Sequence, residues 1–137
     1  SLLLGLLLLV AAACSKKKDP APSLQGVWIV QSVETNEYNV DGSERSKSGR
    51  VAPAKPITYT FTTNQLTIKD EGYFLPPFEY TYNYTGNILA LTAMNTLPGR
   101  FDQTVVHLDR STLVLQDQRG SGSVPGGQTV TIFHLVR

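Results

Sequence analysis

The chain has 137 residues and a formal net charge of +1, which suits one domain around one hydrophobic core and gives no field for nucleic acid or an acidic partner. Its single cysteine excludes an internal disulfide framework. Threonine and tyrosine, both strand formers, recur throughout, and neither an internal repeat nor an amphipathic helical stretch is present.

Leu2 to Ala13 form an unbroken apolar run ending in small residues. A bilayer-spanning helix needs about 20 such residues, so the run reads as the apolar part of a secretory signal whose basic start is expected to precede Ser1. The segment Val10-Ala11-Ala12-Ala13-Cys14 resembles a bacterial lipobox. That resemblance implies a signal peptide over residues 1–13, diacylglycerol on the Cys14 thiol and cleavage just before it. Several acyl chains, each methylene contributing about 0.8 kcal/mol, would then hold the protein on a membrane. Ordinary secretory cleavage after Ala13 is the rival reading. Lipidation also accounts for a lone cysteine in an exported chain. Residues 14–23 follow as anchor and tether, with Lys16, Lys17, Lys18, Pro20 and Pro22 and no apolar period. The lysines are either solvated or placed against anionic head groups, at about 1 kcal/mol each. Ser15 after the cysteine is compatible with sorting to an outer membrane, with the side of that membrane left open.

From Gly26 onward the apolar pattern alternates with period two, and eight strands are expected. The first covers residues 26–34, with Trp28 and Val30 on one face and Val27, Ile29 and Val33 on the other. Residues 35–55, rich in Asn, Gly, Ser, Lys and Pro, are expected to be a long loop. Strands follow at 57–63, 66–69, 78–84, 88–92, 101–108, 112–117 and 128–136. Loops are expected at 70–77, 93–100 and 118–127, the last rich in glycine. Short strands joined by close turns predict an antiparallel meander. Closing such a sheet removes its edges, so an all-β, eight-stranded up-and-down barrel over residues 24–137 is expected, with a two-sheet sandwich as the alternative.

Leu24-Gln25-Gly26-Val27-Trp28 resembles the Gly-x-Trp opening of the lipocalin family. Lipobox, Gly-x-Trp and seven further strands together are similar to lipocalin-like lipoproteins of Gram-negative bacteria. The resemblance implies that Trp28 closes one barrel end beside Gly26, and that Arg137, sharing a face with Phe133 and Leu135, packs across its ring as a cation–π contact. It also implies a small apolar ligand at the other end. The expected pattern departs from the family in having no disulfide pair and no C-terminal helix after the eighth strand. An eight-stranded barrel either is filled by side chains or holds one small ligand, so both outcomes stand.

Phe78, Tyr80, Tyr82 and Tyr84 share one strand face. Turned inward they give Tyr80 and Tyr82, with Phe61, as candidate walls of a ligand site, while turned outward they suit a partner or glycan surface. Plain core packing and cross-strand pairing is the alternative. Phe74-Leu75-Pro76-Pro77 is a candidate cap for one mouth. His107 and His134 lie on strands separated by a third and lack metal-ligand spacing, no Gly-x-Ser-x-Gly elbow occurs, and Cys14 is committed to lipid. Neither an enzyme, a metal nor a cofactor is expected. The leading expectation is a membrane-anchored ligand-binding barrel in the cell envelope. The alternative is a filled barrel whose loops at 35–55 and 118–127 engage a protein partner.

Overall fold

The computed structural model describes residues 21–95 and 99–137. The apolar run, Cys14 and residues 15–20 of the expected tether lie outside the described residues, as do residues 96–98 of one expected loop. The strands are β1 (Gly26–Tyr38), β2 (Glu44–Lys47), β3 (Ile57–Phe61), β4 (Gln65–Asp70), β5 (Phe78–Thr85), β6 (Ile88–Ala93), β7 (Arg100–Leu108), β8 (Thr112–Gly120) and β9 (Gln128–Val136). Neighbours along the sheet from β3 to β9 pair antiparallel, and β1 pairs with both β3 and β9. The ring of β1 and β3–β9 is therefore a closed eight-stranded up-and-down barrel. Closure of the sheet through β1 and β9 rules out the two-sheet sandwich.

Two expectations fail within the first fifty residues. The stretch 35–55 is not one loop, because β1 continues to Tyr38 and Glu44–Lys47 forms a ninth strand against it. Gly26 to Ile29 pair with β3, whereas Asn36 to Tyr38 pair with β2, so β2 lies outside the ring. Val33 also changes side. The register against β9 slips between Val30 and Ser32, and one extra residue in a strand reverses the alternation beyond it. Val33 consequently packs on the core instead of sharing the outer face of Val27 and Ile29.

Short turns at 62–64, 86–87 and 109–111 close the barrel end that holds Trp28, and longer connections cluster at the opposite end. At the Trp28 end, Trp28, Leu66, Leu89, Leu91, Leu113, Leu115 and Leu135 are fully shielded from solvent. They occupy alternate positions of their strands, as the pleat requires. Burial of each contributes about 1.5–3 kcal/mol. Toward the other end the inward positions turn polar, through Thr35 and Glu37 on β1, Gln103 on β7, Asp117 and Arg119 on β8, and Thr129 and Thr131 on β9. The barrel thus has an apolar, side-chain-filled base and a polar mouth.

Candidate functional site

At the base, Gly26 has φ of +129°, and a β-carbon there would lie 3.3 Å from Nη1 of Arg137. Both facts explain a glycine two residues before the tryptophan. Trp28 Nε1 donates to the Leu24 carbonyl at 2.7 Å, which pulls the chain before β1 across the barrel floor. The Arg137 guanidinium carbon sits 4.3 Å from the centre of the Trp28 ring. Its Nη1 donates to the Gln25 carbonyl at 3.0 Å and its Nε to the Arg110 carbonyl. Gly26, Trp28 and Arg137 therefore meet at one place. The turn they cover is pinned by Asp109, whose Oδ1 accepts from the backbone N–H of Ser111 and Thr112 at 2.8 and 2.7 Å. The His107 hydrogen bond, reinforced by these amides, holds the Asp109 carboxyl well below the usual carboxylate range.

The three wall candidates separate. Phe61 is buried in the filled base and meets Tyr82 edge-on, with ring centres 5.4 Å apart. The Tyr82 hydroxyl donates to the Thr62 carbonyl at 2.7 Å, and its ring lines a surface cleft of about 340 Å³ with Pro22, Leu24, Thr63 and Tyr84. Tyr80 lies farther toward the mouth, edge-on to Phe101 at 5.4 Å. The aromatic stripe of β5 faces inward, but it does not line one pocket. Phe74 and Leu75 are exposed, so the segment offered as a cap does not cover the mouth.

The mouth presents a constellation absent from the sequence-based candidates. Gln103 and Asp117 stand opposite each other across β7 and β8, facing inward, at 4% and 7% exposure. Asp117 Oδ2 accepts from Arg119 Nε at 2.8 Å, and the Arg119 guanidinium lies 5.1 Å from the centre of the Phe101 ring. Gln103 Oε1 is buried with no hydrogen-bond partner. Leaving such a group unpaired costs about 1–3 kcal/mol. Tyr59, packed against Phe133 at 6.2 Å, lies in the same half. Burial, followed by the nearby Tyr80 and Asp117, pushes its hydroxyl well above the usual phenol range, so it stays a neutral donor. At the rim, Glu37 accepts from Ser123 Oγ at 3.1 Å and faces Arg45 at 3.6 Å, drawing β1, β2 and the β8–β9 connection together.

A signal for this cluster existed in the sequence. In β8 the inward phase runs Leu113, Leu115, Asp117, Arg119, and in β7 it runs Phe101, Gln103, Val105. Polar residues in an apolar phase mark either a strand leaving the core or a group with a task.

The histidines lie on the outer wall, on either side of Val114 in the β7–β8–β9 register. His107 contacts Asp109 at 3.0 Å and His134 contacts Glu34 at 3.1 Å. Among the described residues no group of three or more His, Cys, Asp or Glu side chains is placed to hold a metal ion.

No protein-family model matches the sequence, and no curated protein matches it. Among solved structures, a lipocalin-like protein from Bacteroides uniformis is similar at 18% identity and a TM-score of 0.46, covering 80% of this chain and 96% of that one. An uncharacterized protein from Bacteroides eggerthii is similar at 13% identity and a TM-score of 0.48, covering 84% of this chain and 99% of its own. What the chain itself establishes is the architecture, an all-β closed barrel of eight antiparallel strands with one base filled and the other end polar.

Proposed function

We propose that this protein is a lipid-anchored, lipocalin-like binding barrel of the cell envelope that takes a small amphipathic ligand at its polar end, where the ligand opens a place beside the buried Gln103 and Asp117. The observation that carries this reading is the unpaired, buried Oε1 of Gln103 beside the Asp117–Arg119 pair, with the rings of Tyr80 and Phe101 below the rim. Such a set asks for an apolar body with one hydrogen-bond donor. The filled base limits the ligand to the mouth half. In this reading Cys14 supplies the anchor, and the chain enters the barrel through Leu24 at the closed base.

Trp28 is fully buried at the closed end, so its fluorescence is a poor reporter of the mouth. The test is NMR titration of the mature protein with 1-naphthol and dodecanol, each an apolar body with one hydroxyl. Saturable shifts of the Gln103 side-chain amide and the Phe101 ring are expected, weakened about tenfold in Gln103→Leu. Absence of saturable shifts with either probe would reject the reading. Mass spectrometry of the mature protein tests the anchor separately, and an unmodified N-terminal Cys14 would remove it.

A second reading rests on a different observation, the exposed Tyr73, Phe74 and Leu75 beside the mouth. In it the barrel engages an envelope protein through its loops. A photo-crosslinker at residue 73 that captures one protein in cells, with capture lost on Phe74→Ser, supports this reading over the first.

A further inference from the structure

We infer a second binding site on the outer wall of the barrel, a cleft of about 300 Å³ that takes a neutral sugar ring. Its floor is Val130 and Ile132 of β9 with Gln128 farther along the same strand, its β1 side is Asn36 and Tyr38, and Gln116 of β8 lies on the opposite side. All six side chains project outward, in register across β8, β9 and β1, away from the mouth cluster. Gly42, between β1 and β2, completes the rim, and a β-carbon there would meet nothing within 4 Å.

Asn36 is the decisive residue. It is only 6% exposed although it faces outward, and its Oδ1 has no hydrogen-bond partner. An asparagine amide offers a donor pair and an acceptor whose places exchange by rotation about the last torsion. Oδ1 itself is shut off from solvent, so a ligand hydroxyl in the cleft meets the amide nitrogen, or the oxygen once the amide has rotated, and a hydroxyl that both donates and accepts satisfies either. The Gln118 side chain donates to Gln128 Oε1 at 2.7 Å and holds that second amide in position before any ligand arrives.

The ligand class follows from what lines the cleft and what does not. No carboxylate, lysine, arginine or histidine is among the lining residues, and the charges that flank them in register, Lys47, Glu44 and Glu34, are of both signs, so the cleft favours a neutral ligand over an ionic one. Three amides beside a tyrosine ring and two aliphatic side chains match a molecule with several hydroxyls on its edge and C–H groups on its face. The strands of the wall have no free edge, since β1 pairs with β2 and β9, and β8 with β7 and β9. A peptide therefore cannot add to these three strands, and the sheet's free edge, β2, does not line the cleft. The volume lies at the small end of ligand sites, enough for a monosaccharide or a disaccharide.

The experiment is a 15N NMR titration of the mature protein with glucose, galactose, mannose, N-acetylglucosamine and cellobiose, with glucuronate as the charged control. The side-chain amide signals of Asn36, Gln116 and Gln128 report directly on the cleft. Saturable shifts of these signals with at least one neutral sugar are expected, while the Gln103 amide in the mouth stays still. Asn36→Leu removes the amide at nearly constant shape, and Val130→Trp fills the cleft from an outward position. Each is expected to weaken binding at least about tenfold with Trp28 fluorescence unchanged. The inference is overturned if no sugar gives saturable shifts, which leaves an ordered water as the partner of Asn36. It is also overturned if affinity survives both substitutions, or if glucuronate binds more tightly than glucose. A failed result in the mouth leaves this outcome untouched, because the two sites share no residue.

Discussion

Replacing Arg137 by alanine tests how the barrel base is sealed. The guanidinium contributes a cation–π contact with Trp28, about 0.5–2 kcal/mol, and hydrogen bonds to the carbonyls of Gln25 and Arg110, about 0.5–1.5 kcal/mol each. Arg137 is exposed, and the freed carbonyls regain water, so the lower part of that range applies, about 2 kcal/mol in all. For a domain stable by about 5–15 kcal/mol this is a large fraction. Urea unfolding followed by fluorescence reads the loss cleanly, because Trp28 is the sole tryptophan. Arg137→Lys keeps the charge but loses the planar fork, so it should recover less than half of the difference. A double-mutant cycle with Trp28→Phe, followed by circular dichroism, isolates the ring contact and should return a coupling of at least about 0.5 kcal/mol. If Arg137→Ala costs less than about 0.5 kcal/mol, the guanidinium only decorates the base and Trp28 seals it alone.

Gly26→Ala places a side chain at φ of +129° and against the Arg137 guanidinium, and should cost about 1–3 kcal/mol in the same unfolding assay. Leu91→Ala empties space in the filled base and should cost about 2–5 kcal/mol, whereas Phe74→Ser on the exposed connection should stay within about 0.5 kcal/mol, a contrast thermal unfolding resolves. Glu34 provides a pH test. Its carboxyl accepts from Arg50 at 2.8 Å, and that bond, aided by His134, holds it below the ordinary glutamate range. A lowered folded-state value means the contribution is present above the ordinary glutamate range and is lost as pH falls through the lowered one. The paired amides of Val33 and Val51, bonded to each other's carbonyls at 2.9 Å, should then lose hydrogen-exchange protection before the amides of β8, and uniform loss across the barrel would count against the Glu34–Arg50 pin.

The period-two alternation of leucines, aromatics and threonines was sufficient to place eight strands and to predict a closed meander, because a half-buried strand needs an apolar residue at every second position. Gly26, Trp28 and Arg137 were legible through the resemblance of Gly26-Val27-Trp28 to the lipocalin opening, and alternation added only that Arg137 shares a face with Phe133 and Leu135. β2 was invisible because all four of its residues are exposed, and only backbone pairing to the overhanging half of β1 makes it a strand. The side of Val33 depended on an extra residue in the β1–β9 ladder, a register fact that local pattern does not carry. Alternation put Tyr80 and Tyr82 on one strand face without fixing which way that face turns, and depth along the barrel axis is set by pairing register. Phe61 and Tyr82 consequently fall in the filled base and Tyr80 near the mouth. Gln103 and Asp117 face each other across the β7–β8 hairpin and the Asn36 cleft joins β1 to β8 and β9, and the unpaired oxygens of Gln103 and Asn36 exist only once the sheet has closed around them. Composition and periodicity therefore determined that this chain builds a barrel. Tertiary structure alone decided which half is solid, which half is polar, and where buried hydrogen-bonding groups are left without a partner.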